Sequence, residues 1–171
     1  SDFDRVGPLG TGQFKVGGNY AASMFAQRKA SELGYDDALF LDPITHTKIE
    51  EVGAANFFGI TKEGDYVSPE SPSILKSITN KSLRYIATNI LNMKVLRDDI
   101  YINDLSKFAE AGACGTAAVI TPIRSIAYKD NIHVFKTKDQ AGPITKKLYE
   151  TLTGIQVGDI DDPSNWTLLV E

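Results

Sequence analysis

The sequence has a single cysteine, Cys114, in 171 residues, which excludes an internal disulfide and a thiolate metal cluster. Two histidines, His46 and His133, are too few for a multi-histidine metal site, so no metal is expected. No apolar run approaches the roughly 20 residues that span a bilayer, and no signal peptide is expected. Positive charge is not in excess. The 18 Lys and Arg against 22 Asp and Glu leave a net charge of −4, which gives no footprint for nucleic acid. Neither nucleic acid nor membrane is therefore an expected partner. Repeats and low-complexity tracts are also missing. What is present is 42% hydrophobic and 23% charged residues, the balance of a soluble globular protein with a substantial core. A reducing cytoplasm suits this cysteine usage.

Residues 1–14 are rich in Gly, Asp and Pro and read as loop. Gly7 to Gly12 has phosphate-loop spacing, but Gln13 stands where Lys-Ser/Thr is required. A helix is predicted from Asn19, a candidate cap, to Leu33, with Gly34 ending it. Ala38 to Leu41 reads as a buried strand. Glu51 sits at the mouth of a second apolar strand that runs to Ile60 and turns back at Gly64 into Tyr66-Val67. Ser77-Ile78-Thr79 opens a helix reaching about Leu91, with Leu83, Ile86, Ala87 and Ile90 at helical spacing. A strand is predicted over 94–100 and a short helix over 105–110. Gly112 to Ala118 reads as a small-residue turn feeding the strand Val119-Ile120. Ile126 to Tyr128 and Ile132 to Phe135 form a hairpin around Asp130-Asn131. An amphipathic helix follows Pro143 and shows Ile144, Leu148, Leu152 and Ile155 on one face. Asn165-Trp166-Thr167 begins a tail that can dock as a last strand.

Four features bear on chemistry, and each has two readings. Lys15-Val16-Gly17-Gly18-Asn19-Tyr20 is either a glycine loop with a solvated lysine or a tight turn aiming an amine into a cleft. A partly desolvated lysine loses its proton and forms an imine with an aldehyde. Glu51 is a solvated acid unless a cationic partner faces it. The helix start at Ser77-Ile78-Thr79 is an ordinary cap or an anion site. The turn through Thr116 is a packed strand entry or a cluster of N–H groups with a hydroxyl. Taken together, a loop lysine, an acid and two threonine-bearing anion turns describe a site for pyridoxal phosphate.

Three blocks also resemble a known family. Phe14-Lys15-Val16-Gly17-Gly18-Asn19-Tyr20-Ala21, Glu51-Val52-Gly53-Ala54-Ala55-Asn56 and Gly115-Thr116-Ala117 are similar, in order and approximate spacing, to the branched-chain amino acid aminotransferases of fold type IV. The resemblance runs through nearly the whole chain. It implies a mixed α/β (α+β) fold: a barrel-like mixed sheet with flanking helices, the family's C-terminal larger domain, over 15–171. Residues 1–14 would be the remnant of an interdomain linker, and the family's smaller N-terminal domain would lie outside this chain.

The resemblance further implies roles. Lys15 would be the Schiff-base lysine and proton carrier, Glu51 the partner of the pyridine nitrogen, and Tyr20 a hydrogen-bond partner of the cofactor's phenolic oxygen. Ile78, Thr79 and Thr116 would bind phosphate. Ala117 would offer backbone N–H to the substrate carboxylate, and Ala54 would line the side-chain pocket. The implied reaction moves amino groups between branched-chain L-amino acids and 2-oxo acids, in a homodimer. Three positions depart from the pattern. Ala54 replaces a frequent Thr, Lys76 replaces the usual Pro, and the redox cysteine pair of some members is absent. In the family an arginine for the phosphate comes from the smaller domain, so this chain is expected to be weakly active or inactive alone. A D-amino acid transaminase or aminodeoxychorismate lyase on the same scaffold, or a non-catalytic cofactor- or partner-binding module, are the alternatives.

Overall fold

The computed structural model describes residues 3–135, 141–168 and 170. Its centre is β3, Ala55–Thr61, whose Phe57 and Phe58 point to opposite faces and are both fully buried. A strand buried on both sides must carry apolar residues at consecutive positions, and Phe57-Phe58-Gly59-Ile60 does so. One edge of β3 pairs along its length with β6, Phe108–Gly115. The other edge is shared by β2 (Ile49–Val52) and β4 (Tyr66–Ser68). Beyond these lie β1 (Leu39–Leu41), β5 (Val95–Arg97) and β7 (Val119–Pro122), making seven strands. All pairings in this sheet are antiparallel except β4 with β5, so the expected mixed sheet is present and branches at β3. The hairpin of β8 (Ser125–Tyr128) and β9 (Asn131–Val134) forms a separate sheet.

Two helices, α2 (Ile78–Asn89) and α3 (Pro143–Val157), cover one face. Leu83, Ile86, Leu148, Leu152 and Ile155 pack there with Phe58, Ile60 and Tyr66. The other face buries Phe57 with Leu41, Ile49, Phe108 and Phe135. The first helix, α1 (Gly17–Glu32), rests on Ala38 and Phe40 through Ala26 and leaves Met24 and Phe25 mostly exposed. No helix among the described residues is long and apolar enough to cross a membrane.

Several local expectations need correction. Glu51 does not open a strand continuous to Ile60. Val52 pairs with Ala55 across a two-residue turn in which Gly53 has φ +54°, so a hairpin separates β2 from β3. Gly112 to Gly115 is strand rather than turn. A Cβ at Gly112 would come within 2.5 Å of the Phe58 ring, so small residues are required where β6 crosses that aromatic. The turn itself is Thr116-Ala117-Ala118. The short helix at 105–110 is a 3-10 turn over Ile102–Lys107, after which the chain is already strand. Strand β5 occupies only three of the seven positions predicted. Trp166 does dock, edge-on against Tyr85 of α2 with ring centroids 5.2 Å apart, but as irregular chain.

Helix α3 shows how a charge is used structurally. Its N-cap, Gly142, has no side chain to offer, and the free N–H groups of Ile144 and Thr145 instead donate to Glu110 of β6 at 3.1 and 2.8 Å. A carboxylate at a helix N-terminus is favoured by both the hydrogen bonds and the helix dipole. Glu110→Ala is expected to destabilise the fold by about 2 kcal/mol, and Glu110→Gln by about half of that, read from denaturant midpoints. An unchanged midpoint in Glu110→Ala would remove the capping role.

Candidate active site

Glu51 is a buried acid of β2. It is 3% exposed, so its carboxylate has lost most of its water. Oε1 accepts two hydrogen bonds, from Asn56 Nδ2 and from the Leu75 backbone N–H, each at 3.0 Å. Oε2 lies 3.0 Å from Arg5 Nε, an ion contact without the alignment of a hydrogen bond. Arg5 is itself buried and donates a second nitrogen to the Ser73 carbonyl. Glu51 is therefore not a solvated acid, since a buried cation faces it.

The segment that carries Arg5 is fastened at two points. Gly12 lies so close to Ser73 that a Cβ would fall 2.1 Å from its carbonyl oxygen. Only glycine allows that approach. Asn19 does not cap α1, whose N-cap is Val16 with no side-chain bond. Its amide instead reaches back, donating to the carbonyls of Thr11 at 2.9 Å and Phe14 at 2.8 Å, while its oxygen accepts from the Thr11 hydroxyl at 2.7 Å. Asn19 thus braces the turn containing Lys15. Gly34 follows α1 at φ +84°, as a helix-ending glycine should.

A cleft is lined by Arg5, Phe14, Tyr20, Glu51, Ala54 and Leu75 among others. The structure thus brings together Tyr20, Glu51 and Ala54. Lys15 is exposed on the turn between Phe14 and α1 and does not line the cleft. Thr79 is half-buried in the first turn of α2, beside exposed Ile78, and the Ser77 hydroxyl caps that turn by accepting from Asn80 N–H at 3.2 Å. Thr116 and Ala117 are exposed on the β6–β7 turn. These four also stand outside the cleft lining.

Arg5 was missed by the sequence reading. It lies in a loop of Gly, Asp and Pro, where nothing local distinguishes a buried guanidinium from a solvated one. Its partner 46 positions away (51 − 5) becomes visible only when the chain is folded.

Burial is the largest influence on the Glu51 carboxyl and pushes it up to about 7, against the attraction of Arg5 and the donors Leu75 and Asn56. Glu50, also buried, is raised for the same first reason. The sign follows from linkage. A carboxyl with a folded value above its unfolded 4.5 binds protons more tightly in the native state, so stability falls as pH rises through that interval. The melting temperature of the chain is expected to decline from pH 5 to pH 7, with Glu51→Gln flattening part of the slope relative to the parent. Parallel slopes in the two proteins would contradict the assignment. Cys114 is buried, and burial pushes its thiol up to about 12, which makes it unreactive. Among the described residues no group of three or more His, Cys, Asp or Glu is placed to hold a metal.

A buried acid with a cation against it, a tyrosine on the same cleft and a lysine-bearing turn braced beside it is the geometry that comparison resolves. The model of the family Amino-transferase class IV matches residues 5–126. The chain belongs to the class IV aminotransferases. Within this family it is similar to the branched-chain-amino-acid aminotransferase of Haemophilus influenzae, with 54% identity over all of this chain and 51% of that protein. It is also similar to the solved branched-chain amino acid aminotransferase of Escherichia coli, with a TM-score of 0.84 and 29% identity, covering 97% of this chain and 54% of that one. The enzyme of Thermobaculum terrenum, solved in its PLP form, matches with a TM-score of 0.77 and 29% identity over 92% of this chain and 50% of its own. This class IV aminotransferase chain spans about half the length of the curated relatives it matches.

Its residues fit pyridoxal phosphate by the chemistry of the donor set. Oε1 of Glu51 is already doubly bonded, which leaves Oε2 as the oxygen able to accept from a ring N–H. The first turn of α2 offers free backbone N–H groups, which suit a phosphate.

Proposed function

We propose that this chain is the cofactor-binding larger domain of a branched-chain amino acid transaminase, acting on leucine, isoleucine and valine with 2-oxoglutarate as amino acceptor. Residues 1–14 are the linker into that domain. The carrying observation is the buried Glu51 carboxylate, fixed through Oε1 and opposed by Arg5 at Oε2 on the cleft shared with Tyr20. Pyridoxal phosphate, when bound, supplies an aldehyde for amines and a protonated ring that withdraws electrons from the substrate α-carbon.

The chain's own residues do the rest. Lys15 would provide the amine that holds the cofactor and would carry the α-proton on its Nζ. Glu51 holds a proton at the ring nitrogen through its negative charge. Tyr20 orients the cofactor by a hydrogen bond to the phenolic oxygen. Ile78, Thr79 and Thr116 bind phosphate from the α2 N-terminus and the β6–β7 turn. Ala117 presents N–H to the substrate carboxylate, and Ala54 faces the aliphatic side chain. Because the amine is exchanged in two half-reactions, ping-pong kinetics are expected.

Lys15 outside the cleft lining supports a further reading: alone, the chain binds cofactor weakly and turns over poorly. The matched relatives are about twice as long, and the resemblance assigns the remaining length an arginine for the phosphate. Titration with pyridoxal phosphate, followed by absorbance, tests both readings. A saturable band lost in Lys15→Ala supports the site, and full turnover from these 171 residues contradicts the weak-fragment reading. Homodimer formation accords with the exposed Met24 and Phe25 of α1, and a cytoplasmic setting accords with the buried free thiol of Cys114.

A further inference from the structure

The side-chain hydrogen bonds that end on Glu51 Oε1 form one directed chain. Tyr66 of β4 donates its hydroxyl to Asn80 Oδ1 at 3.0 Å. Asn80, in the first turn of α2, donates Nδ2 to Asn56 Oδ1 at 3.2 Å. Asn56 of β3 donates Nδ2 to Glu51 Oε1 at 3.0 Å and to the Leu75 carbonyl at 3.1 Å. All four residues are buried.

The direction is forced by the chemistry of the ends. A carboxylate and a backbone carbonyl only accept, so Asn56 must turn its NH2 toward them. Its oxygen then faces Asn80 and requires the Asn80 NH2. The Asn80 oxygen in turn requires the Tyr66 proton. Three dipoles are thereby aligned with their positive ends toward the acid, and aligned hydrogen bonds polarise one another.

We propose that Tyr66, Asn80 and Asn56 form a positioning relay that orients the Glu51 carboxylate, favours its charged form against burial and ties it to the start of α2. The backbone of Asn80 belongs to the turn that contains Ile78 and Thr79 and is capped by Ser77. The acid under the ring nitrogen and the helix assigned to the phosphate are therefore one hydrogen-bonded unit. That consequence rests on the proposed function; the relay itself does not. Tyr66 can serve as the terminal donor because burial holds its hydroxyl well above the ordinary tyrosine value, so it stays protonated.

The other charges facing this unit are few. Arg5 approaches Glu51 from the N-terminal segment, Glu50 adjoins it on β2, and Cys114 faces it from β6. Arg84 of α2 lies within electrostatic reach of Tyr66 and Cys114. None of these is a member of the relay, so its variants leave them in place.

The test is a carbon-13 NMR titration of the Glu51 carboxyl in the 171-residue chain, without cofactor, in the parent, Tyr66→Phe, Asn80→Ala and the double variant. Tyr66→Phe is expected to raise the Glu51 midpoint by about 0.3 pH, and Asn80→Ala by about 1 pH. The double variant should move no further than Asn80→Ala alone, because Tyr66 acts only through Asn80. An unmoved midpoint in folded Asn80→Ala, or a full Tyr66→Phe shift added on top of it, overturns the relay. If Asn80→Ala does not fold, Tyr66→Phe decides, since its ring still stacks on Phe58 with centroids 5.1 Å apart. A shift there supports the relay and no shift overturns it. Pyridoxal phosphate added to the same variants separates the two readings. A moved midpoint with an unmoved pH profile of cofactor absorbance keeps the relay and removes Glu51 from the ring nitrogen.

Discussion

In the full-length protein Lys15→Ala is expected to abolish the absorbance band of bound pyridoxal phosphate and to lower transamination by about 10⁴-fold or more, because under the proposed function it would remove both the holding amine and the proton carrier. The fold should be indifferent to the change. Lys15 is exposed, and the bonds that brace its turn come from Asn19 to Thr11 and Phe14. Melting temperature within about a degree of the parent is the expected control, as for a surface substitution away from any cap or core contact. Lys15→Arg separates charge from chemistry. It keeps the cation but cannot give up its proton, so it should fail as Lys15→Ala does. A Lys15→Ala protein with an undiminished band would take the lysine out of the account.

Glu51→Gln is the second large effect. Glutamine keeps an oxygen that can accept from Asn56 Nδ2 and Leu75 N–H, so the side chain stays where it is. The negative charge is lost, and a donor now faces both Arg5 and any ring N–H. Cofactor binding should persist while turnover falls by about 10²- to 10³-fold, the scale of removing one preorganised electrostatic contact. The loss should appear in kcat more than in KM, since under the proposed function the acid would touch the cofactor and not the substrate. Turnover within a factor of two of the parent would show that the ring nitrogen does not depend on this carboxylate.

Much of the framework was legible in the residues. Pro143 followed by Ile144, Leu148, Leu152 and Ile155 has helical spacing, and α3 runs from that proline to Val157. Asp130-Asn131 between short apolar runs marked the β8–β9 hairpin. Where local reading failed, a tertiary neighbour decided. Gly112 looks like a turn residue because it is small, yet it is small to pass the Phe58 ring. Asn19 has the chemistry of a helix cap but is used to bind the preceding loop.

The candidate site divides in the same way. Lys15, Tyr20 and Glu51 stood out through the short blocks that contain them. Arg5, Asn80 and Tyr66 did not, since each acts through partners between 14 and 46 positions distant. A lone Asn in an apolar strand, as Asn56 is in β3, was the one available signal. A buried amide must find partners, and here they are the acid of β2 and the first turn of α2.

The most direct measurement is chemical trapping. The protein is loaded with pyridoxal phosphate, reduced with borohydride, digested, and mapped by mass spectrometry for the pyridoxyl group. The account predicts the label on the peptide containing Lys15, and its loss from that peptide in Lys15→Ala. A label carried by Lys76 or another lysine, with Lys15 unmodified, would contradict it.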